Sequence, residues 1–435
     1  MLYLGMPFHA IIGGQRGDEG KGRFVDLMAP QYTVVARGNG GSNAGHTVVP
    51  DAMEPIALHQ IPSGIAHPDM LNIIGNGVYV DPRRLAQEIK DLEAAGMKIA
   101  RRNLLVSDTA HLVMPHHLAL DALREGSSKA QGSTQSGIAY VAGDKYLREG
   151  LRLESVIAPK LLFDHAYEAL RIVNGQQPKA DQRSDEDIKQ EIKAWVAATQ
   201  QLTGYMADTV AVVNERLEAG EAVLGEGAQA FWLDINHGMY PSVTSSSTTV
   251  SGLLDGLGIS SKHVEKVSLV VKAVKSHVGS GPFVTEITDE QLGARVRGEF
   301  GAVDSEYGKT TQRTRRIGYP DLVELKNAIR VNGADEIFLS KLDHVPRFGP
   351  SVKVATSYAY QGKKRSIAPS SATALFDCRP NYQELKTWDQ NISNNRKFAE
   401  LPPEASAFVK LFETELGLPV TKIGVGAERN QVILR

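Results

Sequence analysis

The sequence predicts an α/β fold, in which one large domain spanning residues 1–435 is built on a mostly parallel central sheet. Short apolar runs repeatedly end in glycine clusters, and segments with apolar residues at helical spacing lie between them. Strand, glycine turn and helix in repetition are typical of a parallel sheet whose functional loops lie at the carboxyl ends of the strands. With 435 residues the chain can bury a large core, and helices or small strands outside the sheet are expected as excursions.

The individual elements follow from local patterns. Buried strands are predicted where apolar runs precede glycine or polar turns, at 9–12, 33–36, 71–74, 222–224 and 335–340. Helices are predicted from amphipathic spacing, at 23–28, 82–95 and 408–416. The polar stretch 174–191 has few apolar residues and predicts a solvated helix or an excursion from the core.

Composition excludes several classes of function. A formal net charge of −2 gives no overall attraction for nucleic acid or acidic membranes. No apolar stretch is long enough to span a bilayer, and the N-terminus lacks the pattern of a signal peptide. The single cysteine, Cys378, suits a reducing compartment and predicts a packing residue. We therefore expect a cytoplasmic enzyme without nucleic-acid or membrane partners.

The loop 13–22, Gly-Gly-Gln-Arg-Gly-Asp-Glu-Gly-Lys-Gly, is typical of a phosphate-binding turn. Its glycines let backbone N–H groups approach phosphate oxygens, and Lys21 adds a positive charge beside a helix N-terminus. It resembles the P-loop of GTPases, although Gly22 stands where that motif has a metal-binding hydroxyl. Asp18 could bind the metal instead, or act as a base. The competing interpretation is a plain turn with a solvated acidic pair.

A second loop, 37–47, places Asn43 and His46 among glycines directly after a predicted strand. A histidine at such a position suits acid–base chemistry near neutral pH. A surface histidine without a function would have the same local sequence. Because the loop follows the strand after the first glycine loop, the two could share one site.

Three later segments carry further polar groups. Hydroxyl-rich loops at 132–137 and 243–249 could hold a phosphate, although such runs often only cap helices and turns. The segment 308–316 holds four cations, which favours a small acidic substrate. The tetrapeptide 340–343, Ser-Lys-Leu-Asp, is similar to the pattern by which GTPases bind guanine through an aspartate carboxylate.

Taken in order, these motifs resemble the adenylosuccinate synthetase family from end to end. The resemblance rests on G-D-E-G-K-G at 17–22, N-A-G-H-T at 43–47, I-G-N-G at 74–77, E-G-A-Q at 226–229, D-I-x-H-G-x-Y-P-x-V-T-S-S at 234–246, V-G-x-G-P-F-x-T-E at 278–286, T-T-x-R-x-R-R-x-G at 310–318, K-L-D at 341–343 and G-x-G-x-x-R at 424–429.

The resemblance implies a GTP-dependent ligation of L-aspartate to IMP, with GTP as co-substrate and one Mg²⁺ per subunit. Asp18 matches the base and a metal ligand, and the carbonyl of Gly45 matches the other protein ligand. His46 matches the acid that stabilises the transferring phosphoryl group, Gln229 matches a residue that stabilises the purine O6 anion, and Lys21 belongs to the same catalytic group.

Substrate contacts are implied in the same way. The IMP contacts are Asn43, Thr134, Arg148, Gln229, Thr244 and Val278, and those of aspartate are Thr310, Thr311 and Arg313. The GTP contacts are Gly17, Glu19, Gly20, Lys21, Gly22, Gly45, His46, Thr47, Arg315, Lys341, Asp343, Gly424 and Gly426. Arg148 matches an arginine that reaches the IMP phosphate of the neighbouring subunit, which implies a homodimer.

The sequence also departs from the family pattern. Arg16 replaces Trp, Ser42 replaces His, Gln135 and Ser136 replace Gly-Arg, His277 replaces Arg, and Gln312 replaces Gly. Two alternatives therefore stay open: a ligase of the same fold for a modified purine nucleotide or another amine, and a GTP-binding regulatory protein. Retention of Asp18 favours IMP, because phage relatives that use a guanine nucleotide lack this aspartate.

Overall fold

The computed structural model describes residues 8–48, 55–128, 130, 132–302, 304–307 and 314–435. In chain order the strands are β1 (Phe8–Gly13), β2 (Val34–Arg37), β3 (His46–Val48), β4 (Ile56–Leu58), β5 (Leu71–Ile74), β6 (Leu104–Ser107), β7 (Met206–Ala207), β8 (Val223–Glu226), β9 (Val264–Lys272), β10 (Lys275–His277), β11 (Arg316–Gly318), β12 (Glu336–Ser340), β13 (Ser351–Tyr360), β14 (Lys363–Arg365), β15 (Arg379–Lys386), β16 (Val420–Gly424) and β17 (Val432–Leu434).

The α-helices lie between and after these strands. They are α1 (Lys21–Met28), α2 (Pro82–Ala94), α3 (Pro115–Glu125), α4 (Ile138–Leu147), α5 (Pro159–Gly175), α6 (Asp185–Gln201), α7 (Thr209–Glu218), α8 (Val250–Asp255), α9 (Glu290–Arg297), α10 (Leu322–Asn332), α11 (Ala372–Asp377) and α12 (Pro403–Leu416).

A central sheet dominates the molecule. Among the described residues it joins ten strands in the order β17-β16-β12-β9-β1-β8-β2-β5-β6-β7. All neighbours pair in parallel except β16 and β17 at one edge. Strands β1, β2, β8 and β12 are buried along their whole length, as expected when helices cover both faces of a parallel sheet. The predicted fold class is confirmed.

The segment 174–191 does not form one solvated helix. It covers the end of α5, a turn and the beginning of α6, which Ser184 caps by accepting a hydrogen bond from the Asp187 N–H. The polar residues lie on the first turn of α6, and Ile192 and Trp195 on the same helix are fully buried in a cluster with β5 and β6. This excursion from the sheet therefore has its own apolar contacts.

One part of the architecture was not predicted. Strand β13 pairs antiparallel with β14 and β15 in a separate three-stranded sheet. The inward residues of β13, including Val354 and Tyr358, are buried, whereas β15 is mostly exposed. In the part of the chain that the structure describes, no helix is long and apolar enough to cross a membrane.

The sheet brings the polar loops together. The loops after β1, β2, β8, β9 and β12 all leave from carboxyl ends of parallel, hydrogen-bonded strands, so they meet at one edge of the sheet. This edge is where ligands bind in open α/β sheets.

Candidate active site

A cleft of about 410 Å³ lies at this edge and brings together most of the residues predicted from the sequence. Its lining includes Gly17, Asp18, Gly20, Lys21, Gly22, Asn43, Gly45, His46, Thr134, Gln229, Thr244, Val278, Arg315 and Lys341. They come from loops separated by more than 300 residues in sequence, and each follows a strand or opens a helix.

The glycine loop after β1 is held by a buried carboxylate. Glu19 is fully buried; it accepts a hydrogen bond from the Gly17 N–H at 2.8 Å and from Lys21 Nζ at 2.7 Å. Gly17 and Gly20 have φ of 92° and 85°, values that strongly favour glycine. The competing interpretation of a solvated acidic pair is therefore wrong, because Glu19 organises the loop and only Asp18 reaches the cleft.

Backbone strain is concentrated in the predicted site loops. Among the described residues other than glycine, positive φ occurs at Asp18, Gln135, Arg148, Gln229, Lys341 and Gln361. All but Gln361 lie in segments predicted to bind substrate. Left-handed backbone at non-glycine residues has an energetic cost and is often retained where function requires it.

His46 forms a buried pair with Glu226 at the end of β8. The His46 Nδ1 lies against Glu226 Oε1, and Glu226 also accepts from the Ser63 N–H at 2.7 Å and the Ser63 hydroxyl at 2.8 Å. Burial lowers the pKa of His46, although the Glu226 carboxylate opposes this shift. Burial alone would raise the pKa of Glu226, but His46 and Arg37 hold it below its usual value. The pair fixes the ring at the wall of the cleft.

Asp18 is linked to Lys341 through two further residues. Arg315 Nη2 lies 2.9 Å from Asp18 Oδ2, and its Nη1 lies 2.6 Å from Glu306 Oε2. Glu306 also pairs with Lys341 at 2.5 Å and with Lys272 at 3.3 Å. Burial alone would raise the pKa of Glu306, but these three cations hold it well below its usual value. Glu306 thus connects Arg315 and Lys341, which both line the cleft.

A second group of contacts joins Gln229, Asn43 and Thr244, which all line the cleft. Gln229 Nε2 donates to Asn43 Oδ1 at 3.2 Å, and Asn43 Nδ2 donates to Thr244 Oγ1 at 3.4 Å. Gln229 Oε1 is buried and lacks a hydrogen-bond partner among the described residues. Asp121 holds the loop around Thr134 by accepting from Ser133 Oγ and the Gly137 N–H, both at 2.9 Å.

Three residues predicted to bind guanine, Asp343, Gly424 and Gly426, lie around Arg23 and not in the cleft lining. Arg23 Nη1 donates to the carbonyl of Gly426 at 2.5 Å, and a Cβ on Gly424 would come within 3.1 Å of the same Nη1. Burial lowers the pKa of Arg23 to about 10, while the Asp343 carboxylate opposes this shift. Ser340 Oγ donates to the Glu19 carbonyl at 2.7 Å, which ties the end of β12 to the glycine loop.

Two of the departures from the family pattern are accommodated by one buried cluster. Arg16 Nη2 pairs with Glu324 at 2.6 Å and its Nη1 donates to the Pro282 carbonyl at 2.7 Å. His277 lines the cleft, and burial, together with the charge of Arg16, lowers its pKa to about 3. A neutral ring therefore stands where the pattern has an arginine.

Some predicted residues lie elsewhere. Arg148 is exposed on the C-terminal cap of α4 and does not line the cleft. Thr310, Thr311, Gln312 and Arg313 lie outside the described residues, as does the side chain of Thr47. The sequence patterns assigned no role to Glu226, Glu306 or Arg124. The partner of Glu226 lies 180 residues away, and neither Glu306 nor Arg124 belongs to a recognised motif. Arg124 lines the cleft from the last turn of α3, and its Nε is buried without a partner in the described part of the chain.

The fold and the cleft together define an α/β protein in which a glycine loop, a buried His–Glu pair and paired charges meet at the carboxyl edge of a parallel sheet. The family model for adenylosuccinate synthetase matches residues 10–433. The adenylosuccinate synthetase of Parafrankia sp. (strain EAN1pec) is 39% identical over 432 residues, which cover 99% of each chain.

Solved structures agree with this match. The fully ligated adenylosuccinate synthetase from Plasmodium falciparum is similar with a TM-score of 0.86 and 30% identity, over 99% of this chain and 100% of that one. The succinoaminodeoxyadenylate synthetase of Cyanophage S-2L shares the fold with a TM-score of 0.59 at 19% identity, over 99% of this chain and 95% of that one. The chain belongs to the adenylosuccinate synthetase family and is a ligase of purine biosynthesis.

Proposed function

We propose that the protein ligates L-aspartate to IMP at the expense of GTP, in the branch of purine biosynthesis that leads to AMP. The products are adenylosuccinate, GDP and phosphate. The observation that supports this best is that Asp18, His46 and Lys341 line one cleft. Arg315 and Glu306 connect Asp18 to Lys341 through ion pairs. A GTP-binding regulatory protein needs one nucleotide site and no site for further substrates.

The proposed reaction proceeds in two steps, phosphorylation of O6 and displacement of the phosphate by the aspartate amine. Asp18 accepts the N1 proton of hypoxanthine, and O6 then attacks the γ-phosphorus of GTP, forming 6-phosphoryl-IMP and releasing GDP. The aspartate amine attacks C6, phosphate leaves with the O6 atom, and the amine loses a proton. Gln229 stabilises the charge on O6 by hydrogen bonding, and His46 and Lys21 stabilise charge on the transferring phosphoryl group.

A magnesium ion fits the oxygen donors on the cleft wall. Mg²⁺ prefers carboxylate, carbonyl and phosphate oxygens, and Asp18 and the Gly45 carbonyl offer two of these beside the phosphate loop. When bound, the ion would neutralise phosphate charge. With the ion held by Asp18, the contact between Asp18 and Arg315 would be given up, and Arg315 would be free to contact the transferring phosphoryl group.

The substrates occupy different parts of the cleft in this proposal. IMP contacts Asn43, Thr134, Thr244, Gln229 and Val278, whereas GTP lies on the glycine loop with its base between Lys341, Asp343 and Gly426. Thr310, Thr311 and Arg313 contact the aspartate carboxylates. The cation-rich composition of that loop supports this assignment, because arginine binds carboxylates bidentately.

The proposed active form is a homodimer in which Arg148 reaches the IMP phosphate of the other subunit. Exposed apolar side chains beside Arg148 support this, since 79% of Tyr146 and 64% of Leu147 are exposed. Adjacent large apolar groups on one helix end are often covered by a partner. We place the protein in the cytoplasm.

A spectrophotometric assay with IMP, GTP, Mg²⁺ and aspartate tests the function. Omission of any component should abolish turnover, and ATP should replace GTP poorly. Substitution of dGMP, other purine monophosphates or other amino acids tests the alternative ligase. The proposal is wrong if one of these supports faster turnover than IMP with aspartate, or if GTP is hydrolysed at the same rate without IMP.

A further inference from the structure

Arg84 contacts two loops of the cleft although it lies outside the lining itself. Its Nη1 donates to Ser136 Oγ at 2.8 Å and lies 3.5 Å from Ser42 Oγ. Both serines are almost completely buried, each with 1% of its surface exposed. A guanidinium that reaches two buried hydroxyls on separate loops differs from an ordinary solvated arginine, even though 41% of the Arg84 side chain remains exposed.

Each serine is coupled to a residue of the proposed IMP site. Thr134 Oγ1 donates to Ser136 Oγ at 3.0 Å, so Ser136 connects Arg84 to a hydroxyl that lines the cleft. Ser42 directly precedes Asn43, which also lines the cleft and bonds Gln229. Arg84 therefore fixes the spacing between the loop after β2 and the loop before α4.

The backbone N–H and the Nε of Arg84 are both held in place by Asp81. Asp81 caps α2 by accepting from the Arg83 and Arg84 N–H groups at 3.1 and 3.3 Å. Its other carboxylate oxygen lies 3.6 Å from Arg84 Nε. An arginine at the start of a capped helix, with its Nε beside the capping carboxylate, is oriented toward the loops before substrate arrives.

Positions 42 and 136 are two of the departures from the family pattern, which has histidine and arginine there. Both are replaced by serine, and both serines contact the same guanidinium. We propose that Arg84 is a positioning residue for the nucleoside monophosphate, supplying from α2 the cationic group that the pattern places at 136. This proposal rests on the IMP site of the proposed function.

The test moves the positive charge from residue 84 to residue 136. Arg84→Ala should raise the KM for IMP roughly ten-fold, the scale of one lost hydrogen bond to a charged group, with smaller changes in kcat and in the KM for GTP. Adding Ser136→Arg to Arg84→Ala should bring the KM for IMP back toward the wild-type value. The affinity for IMP measured by calorimetry should likewise fall in Arg84→Ala and recover in the double variant.

Arg83→Ala is the matched control, because Arg83 lies on the same turn but pairs with Glu191 at 2.9 Å, away from the cleft. If Arg84→Ala does not fold, Ser136→Ala removes the acceptor while the arginine stays, and should raise the KM for IMP selectively. An unchanged KM for IMP in the folded variants, an equal change in Arg83→Ala, or no recovery on adding Ser136→Arg would each overturn the proposal. A wild-type enzyme without IMP-dependent turnover would instead contradict the proposed function.

Discussion

At the scale of single residues, the charges in the cleft are paired with one another. Asp18 pairs with Arg315, Arg315 with Glu306, and Glu306 with Lys341. Lys21 pairs with Glu19 in the same way. Lys21, Arg315 and Lys341, three of the proposed substrate-contacting cations, therefore each have a carboxylate partner that keeps them ordered. Binding of phosphate and metal replaces some of these pairs, so substrate binding and rearrangement of the pairs are coupled.

Asp18→Asn should lower kcat by about 10²–10⁴-fold while the protein stays folded, because an amide cannot accept the N1 proton. The measurement is steady-state turnover with all substrates saturating, together with a thermal melt. Asp91→Asn is a suitable control, since Asp91 is exposed on α2 and its carboxylate bonds only Gln87 among the described residues. More than a tenth of wild-type turnover in Asp18→Asn would exclude Asp18 as the base.

Asp343→Asn should weaken the use of GTP and admit xanthosine triphosphate. Guanine presents donors at N1 and the 2-amino group, which a carboxylate accepts, whereas xanthine presents an oxo group that an amide can satisfy. The ratio of kcat/KM for the two nucleotides is the measurement. Asp304→Asn is the control, because Asp304 lies beside His344 at 3.2 Å but has no proposed contact with the base. An unchanged ratio in Asp343→Asn would remove Asp343 from the guanine site.

At the scale of elements, the sequence predicted the strands that carry the site better than the surrounding packing. The apolar runs before Gly13, Arg37 and Ser340 are short and end in turn residues, so their positions follow from local composition. The sheet of β13, β14 and β15 was missed because β15 is largely exposed and lacks a clear apolar pattern. Its position depends on tertiary contacts with β13, which local sequence does not record.

The same contrast holds for the site. Asp18, His46 and Lys341 could be predicted because glycines or a known motif surround them. Glu226 pairs with His46, 180 residues away, and Glu306 pairs with Lys272 on β9 and with Lys341 just after β12. Arg84 contacts loops that lie about 40 and 50 residues from it. Partners of this kind follow from the fold and not from spacing. The implied dimer and the single domain stay predictions.

The end of α4 provides a test of the implied dimer. Arg148→Leu should raise the KM for IMP far more than that for GTP or aspartate, through loss of a charge-assisted contact worth roughly 1.5–3 kcal/mol. Mixing Arg148→Leu with Asp18→Asn should restore some activity, since a hybrid dimer has one site with both groups intact. Arg152→Leu is the control, as Arg152 is exposed nearby and its side chain has, among the described residues, only a 4.0 Å contact with Glu154. Absence of recovery where subunit exchange is demonstrated would mean that Arg148 does not act across subunits.

At the scale of the whole molecule, several histidines are buried in a neutral form. Burial lowers the pKa of His9, His111 and His116 to about 4 and that of His277 to about 3. His9 lies between the Tyr32 hydroxyl and Ser268 Oγ, at 2.6 Å from each. These rings are distributed from β1 to β10, so the effect of pH belongs to the fold and not to one element.

Stability should therefore fall as the pH decreases from about 6.5 to about 4. In this window the unfolded chain protonates these histidines while the folded protein does not, so each contributes a loss of about 1.4 kcal/mol per pH unit. Urea unfolding at pH 7.5, 6 and 5 measures the slope, and His9→Gln should reduce it by the share of one histidine. Carboxylates that titrate in the same range are present in both proteins, so the difference in slope between wild type and His9→Gln reports His9 alone. An equal slope in wild type and His9→Gln would show that His9 is not buried as a neutral group.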